Sequence, residues 1–137
     1  MIDVHIVKQL GGFTLDARFQ SDGRATALFG RSGAGKSSVV QAIAGLIRPD
    51  EGHIRVDGET YFDAERGIDV PAERRRCGVV FQESRLFPHM SVEKNLLYGH
   101  ARAAAPRRIE PRDVTTVLDI NHLLQRRPAK LSGGERQ

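Results

Sequence analysis

The 137-residue sequence predicts an α/β fold in which a mixed sheet carries a phosphate-binding loop. Three observations carry that prediction. GRSGAGKSS, residues 30 to 38, has the spacing G-x-x-x-x-G-K-[ST], in which glycines let backbone N–H groups close on phosphate oxygens at the start of a helix. A short apolar run, Ala25 to Phe29, enters this stretch and an amphipathic run leaves it, giving the strand, loop and helix that the motif needs. Alternating apolar and polar residues recur on both sides of it, as in half-buried strands.

The elements follow in order. Ile2, Val4 and Ile6 alternate with polar residues, as do Leu15, Ala17 and Phe19, so both segments read as half-buried strands. Residues 21 to 24, SDGR, read as a turn, and Ala25 to Phe29 as a fully buried strand. Val39, Val40, Ile43, Leu46 and Ile47 recur at helical spacing, which predicts a helix over Lys36 to Ile47, ended by Pro49 and Gly52. HIRVDGE, from residue 53, reads as a strand with an Asp57-Gly58 turn into a hairpin with Thr60 to Phe62. CGVVF, residues 77 to 81, reads as a second buried strand. Cys77 is then a small residue entering it rather than a reactive thiol. Ser91 caps a helix through Tyr98, and Pro111 opens another that carries Val114, Val117 and Leu118. AAAPRR, residues 103 to 108, reads as a surface connection. TTVLD, residues 115 to 119, fits the last helix better than a strand.

Composition narrows the function classes. A length of about one domain with 39% hydrophobic residues fits a packed core. No apolar run approaches the roughly 18 residues of a membrane span and the first residues lack a signal-peptide pattern, so a cytoplasmic location is expected. One cysteine forms no internal disulfide. The net charge of +4 gathers at Arg74–Arg76, Arg107–Arg108 and Arg126–Arg127. These runs are scattered and lack interleaved aromatics, so they read as solvated surface and not as a nucleic-acid interface. His5 and His89 have no second ligand at metal-binding spacing.

The chemistry concentrates in two stretches. Gly30, Arg31, Ser32, Gly33, Ala34, Gly35, Lys36, Ser37 and Ser38 form the cradle. In it Lys36 reaches the β- and γ-phosphates and the Ser37 hydroxyl helps hold Mg²⁺. LSGGERQ, residues 131 to 137, reads as a second helix start. Ser132 is its N-cap, Gly133 and Gly134 expose backbone N–H groups, and Glu135 is the capping-box partner.

Together the two stretches resemble the ATP-binding-cassette ATPases, whose Walker A loop and signature they match in order over nearly the whole chain. VVFQE places Gln82 where that family's Q-loop glutamine follows a strand. The resemblance implies a P-loop NTPase of the ABC type, with an antiparallel β portion, a parallel core and a helical portion. It implies ATP and Mg²⁺ as ligands, with Ser37 and Gln82 at the metal and Lys36 and Gln82 serving catalysis. It also implies a homodimer paired head to tail, in which Ser132, Gly133 and Gly134 of one subunit cover the γ-phosphate held by the other. Phe13 is the candidate for stacking on adenine.

Residues 42 to 58 and 71 to 99 resemble more narrowly the ATP-binding subunit of bacterial molybdate importers, and more loosely those for other oxyanions and sugars. By that resemblance Leu86, Phe87 and Pro88 offer the contact for an integral-membrane permease, and the subunit lies peripherally on the inner face of the membrane. The family continues beyond its signature with a strand ending in Asp-Glu and, later, a switch histidine. None of these lies within residues 1 to 137, so the chain is expected to be a partial nucleotide-binding domain, truncated on its C-terminal side and weak or inactive in hydrolysis. Two alternatives stand beside the importer: a non-catalytic nucleotide-binding fragment, and a DNA-maintenance ATPase of the same superfamily. The second has less in its favour, because Ser132 follows Ser37 by only 95 residues with no heptads and one cysteine between.

Overall fold

Alternation at the start of the chain becomes two nine-residue strands, β1 (Ile2–Leu10) and β2 (Phe13–Ser21), joined through Gly11 and Gly12 and paired in register from Leu10 opposite Phe13 to Ile2 opposite Ser21. The computed structural model describes residues 1–100 and 109–136. The chain divides into two units, Met1–Val79 and Val80–Gln137.

In the first unit β3 (Glu51–Val56), β4 (Glu59–Asp63) and β5 (Ile68–Asp69) complete a sheet of order β2-β1-β3-β4-β5, antiparallel at every pairing. Asp57 and Gly58 both take positive φ, 49° and 83°, as a type I′ hairpin turn requires. One sheet face buries Val4, Ile6, Leu15, Ile54 and Phe62 together with Val39 and Ala42 of helix α1 (Lys36–Ile43). Each fully buried aliphatic or aromatic side chain contributes about 1.5–3 kcal/mol, and this face is the core of the unit.

Several expectations are corrected here. Ala25–Phe29 forms no strand and Phe29 is 94% exposed. Cys77–Phe81 forms none either, with Cys77 exposed and Val80 at 99%. A parallel-type strand is buried only when neighbours flank it and helices cover both faces. Among the described residues no strand pairs with either segment, so the antiparallel portion of the expected sheet is present and its parallel core is not formed. Helix α1 ends at Ile43, four residues early, because Gly45 turns left-handed at φ 79°. Gly52 does not end the helix but lies within β3, opposite Ile6, at φ 93°. The Arg74–Arg76 run is not wholly solvated, since Arg75 is 1% exposed.

The second unit contains α2 (Val92–His100), α3 (Pro111–Val117) and α4 (Gly133–Arg136), with 3-10 turns at Asn121–Leu123 and Pro128–Lys130. Helix α2 starts as expected, Lys94 N–H donating to Ser91 Oγ at 3.3 Å. Its other early amides reach the chain at 124–126, Val92 N–H to the Arg126 carbonyl and Glu93 N–H to that of Leu124, both at 2.9 Å. Pro111 opens α3, but Val114, Val117 and Leu118 are exposed and Thr115 is buried instead. Its hydroxyl donates to Asn121 Oδ1 at 2.8 Å, so the inward position is polar and satisfied. Residues 115–117 are helical, as expected for TTVLD. The connection expected at 103–108, which includes Arg107 and Arg108, lies outside the described residues.

Candidate functional site

The phosphate loop is built by conformations that only glycine adopts cheaply. Gly33 and Gly35 have φ of 81° and 85°, in the left-handed region where a Cβ is penalised. A Cβ at Gly33 would meet nothing within 4 Å, whereas one at Gly35 would stand 2.7 Å from Leu15 Cδ1. Gly33 is thus needed for the turn, and Gly35 for the turn and for close packing on β2. Gly35 caps α1, whose first N–H groups have no acceptor within the helix and carry its positive end.

Lys36 folds back over the loop, its Nζ donating to the carbonyls of Gly30 at 2.8 Å and Arg31 at 2.7 Å. Ala34 N–H closes the turn onto Arg31 at 3.2 Å. An ammonium has three donors, so two brace the loop and one remains for an anion. Arg31, Ser32, Gly33, Ala34 and Ser37 are exposed, Ser38 half-buried. Open amides, an ammonium and a hydroxyl make a donor set that fits a polyphosphate. Among the described residues no group of three or more His, Cys, Asp or Glu could hold a metal. The Ser37 hydroxyl is an oxygen this loop could offer to Mg²⁺, which shares its ligands with phosphates in such sites. Phe13 opens β2 and is 45% exposed. By alternation it shares the face of Leu15, which packs on Gly35.

The second unit holds the other predicted residues. Gln82 is exposed, three residues before Arg85, whose guanidinium lies 4.2 Å from the Phe81 ring. Leu86 is half-buried, Pro88 exposed and Phe87 38% exposed, with the Phe87 ring 4.6 Å from that of Tyr98. His89 is not isolated, its ring 6.0 Å from Phe87. This apolar loop is held by Asn95. Its Oδ1 accepts from Phe87 N–H at 2.7 Å, and its Nδ2 donates to the carbonyls of Phe87 at 3.2 Å and Ser91 at 3.0 Å. Asn95→Ala is expected to speed hydrogen exchange at the Phe87 amide by about tenfold, the loss of roughly one net hydrogen bond. An unchanged rate would show that the loop is held without Asn95.

Ser132 and Glu135 form the expected capping box at α4. Ser132 N–H donates to Glu135 Oε2 at 2.6 Å and Glu135 N–H to Ser132 Oγ at 3.3 Å. The Ser132 backbone and hydroxyl, and then the Arg126 guanidinium 3.6 Å away, hold the Glu135 carboxyl below its ordinary value. Gly133 and Gly134 have open space where a Cβ would stand.

Two residues escaped the sequence reading. Asn95 has no local signal, since its partners are backbone groups four to eight residues earlier. Arg75 is hidden in a run of three arginines. Its Nε donates to the Val70 carbonyl at 2.6 Å, Nη1 to those of Ala42 at 2.7 Å and Ile43 at 3.1 Å, and Nη2 to Asp69 Oδ1 at 3.1 Å. Its own carbonyl accepts from Tyr61 Oη at 2.8 Å, and burial raises the pKa of that phenol.

A left-handed glycine loop closed by a lysine at the head of α1, beside an antiparallel sheet, defines a P-loop NTPase of the ABC type. The chain belongs to the ABC transporter family, whose model matches residues 17–137. A molybdenum import ATP-binding protein of Rhodospirillum rubrum is 52% identical over 100% of this chain and 37% of its own length. Its counterpart in Mesorhizobium japonicum is 55% identical over 99% of this chain and 37% of its own length, and that in Rhizobium meliloti 53% over 99% and 38%. The chain therefore spans less than two-fifths of the length of these relatives. Among solved structures, the ATP-binding cassette MJ0796 in a dimeric post-hydrolysis state bound to ADP and Pi superposes with a TM-score of 0.71 at 22% identity. That match covers 99% of this chain and 65% of the other, and it supports the fold.

Proposed function

We propose that the polypeptide carrying these residues binds ATP and, in its complete form, hydrolyses it as the energy-coupling subunit of a molybdate importer. The observation that carries the reading is the Lys36 ammonium at the head of α1, braced on the carbonyls of Gly30 and Arg31. It supports the reading because one fixed charge and the amides of Gly33 and of Gly35 to Ser38 make a set that can bind a triphosphate by positioning and electrostatics. Mg²⁺, held on the first unit by Ser37, would supply neutralisation of phosphate charge, and Gln82 of the second unit serves catalysis. Phe13 stacks on adenine. Ser132, Gly133 and Gly134 cover the γ-phosphate of a second subunit paired head to tail, the capping box holding Ser132 in place.

Leu86, Phe87 and Pro88 dock on an integral-membrane permease, with the subunit on the cytoplasmic face. No helix among the described residues is long and apolar enough to cross a membrane, so this reading assigns translocation to the permease. The substrate assignment follows the names of relatives at 52–55% identity. Uptake of labelled molybdate by cells carrying a chromosomal Lys36→Ala allele tests it. Molybdate uptake is expected to fall to background while sulfate uptake is retained. Loss of sulfate uptake alone would assign another oxyanion, and retention of both would overturn the importer reading.

A further inference from the structure

We propose that Arg75 is a positioning residue for the phosphate site, setting the axial position of α1 and so the place where Lys36 and Ser37 meet the phosphates. The inference rests on the nucleotide-binding reading and adds a residue to it. Helix α1 is eight residues long, about 12 Å, too short to bend, so a shift at one end moves the other. Its side is held by Val39 and Ala42 in the core. Apolar contacts of that kind resist separation but are non-directional, and they oppose sliding by an ångström only weakly.

The directional contacts lie at the C-terminal end. There the Arg75 guanidinium reaches the carbonyl of Ala42, which also accepts from Gly45 N–H at 3.1 Å, and that of Ile43, and complements the negative end of the helix. The guanidinium is itself fixed by the Val70 carbonyl and by Asp69, which Arg48 Nε also approaches at 3.1 Å. Gly45 makes the approach possible, because a Cβ there would stand 2.8 Å from Arg75 Nε and 3.0 Å from Ala72 Cα. At the other end Gly35 lies against Leu15. The helix is thus bracketed between β2 and Arg75. A lysine at position 75 has the charge but not the planar fork, and it cannot satisfy three carbonyls and a carboxylate at once.

The test compares the full chain with its Arg75→Lys, Asp69→Asn, Lys36→Ala and Arg74→Lys variants, each checked for folding by circular dichroism and thermal melting. Trinitrophenyl-ATP binding is titrated by fluorescence, with pyrophosphate as competitor. Arg75→Lys is expected to weaken both ligands by the same factor, about tenfold, and Asp69→Asn by about threefold. Arg74→Lys, on an exposed residue of the 3-10 turn Ala72–Arg74, binds as the native chain does. A residue that only stabilised the fold would lower the melting temperature and leave both constants of the folded protein unchanged, and that result overturns the proposal. Should Arg75→Lys fail to fold, Asp69→Asn decides, native affinity counting against the proposal. Failure of the native chain to bind, or binding undiminished in Lys36→Ala, would defeat the phosphate-site reading instead.

Discussion

Lys36→Ala is expected to weaken Mg-ATP binding by about 100-fold or more. The change removes the one ammonium held within the loop, and charge-assisted hydrogen bonds contribute about 1.5–3 kcal/mol each. Here the charge has two tasks. On the proposed reading it meets phosphate, and through Gly30 and Arg31 it keeps the loop carbonyls turned onto itself. Without it those carbonyls face an incoming polyanion uncompensated, so the loss exceeds that of one contact. Isothermal titration with Mg-ATP measures it. An affinity within threefold of the native value would mean that the loop amides alone hold the nucleotide, and the role given to Lys36 would be wrong. The fold is expected to survive, because Lys36 is only half-buried and outside the apolar core.

Gly52→Ala is expected to destabilise the first unit by about 3 kcal/mol or more. Gly52 has φ 93°, and a Cβ there would stand 2.0 Å from the His5 carbonyl oxygen and 2.8 Å from its carbon. Both atoms belong to the backbone of β1 and cannot rotate away. Relief requires β3 to move from β1, breaking the pairing that seats Ile54 opposite Val4. Gly58→Ala separates strain from collision. Its φ is similar at 83° but its Cβ position is open, so it carries only the backbone penalty of about 1 kcal/mol. Urea denaturation of both variants measures the difference. Equal losses would show that collision with β1 contributes nothing.

The antiparallel part of the fold was legible because its signals are local. Alternation at Ile2–Ile6 and Leu15–Phe19, the Asp57-Gly58 turn and the Ser132–Glu135 spacing each carry their own physics within a few residues. The same holds for the phosphate loop, whose glycine spacing encodes its left-handed turns. Ala25–Phe29 and Cys77–Phe81 misled for the opposite reason. An apolar run is compatible with a buried strand, but burial depends on neighbours that no local pattern supplies. In the third helix the apolar residues Val114 and Val117 pointed to an inward face that Thr115 occupies. Arg75 was illegible because its identity matches Arg74 and Arg76, and only the left-handed ending of α1 brings two helix carbonyls within its reach. At the second site the capping box could be read, whereas the grip of Asn95 on the Phe87 loop depends on how the chain returns.

The pairing of β1 has a consequence for the order of folding. Its partner β2 begins three residues after it ends, while β3, β4 and β5 are all complete by Asp69. Among the described residues, every strand of this sheet therefore emerges from the ribosome within the first 69 residues of synthesis, which proceeds at about 5–20 residues per second. The nine-pair hairpin closes first, since short loops cost the least entropy. Its apolar face then waits on α1, fifteen residues further on, whose Val39 and Ala42 cover it. During that interval, Val4, Ile6 and Leu15 stand open on a nascent hairpin, making this the stage of biogenesis most exposed to aggregation and to chaperone capture.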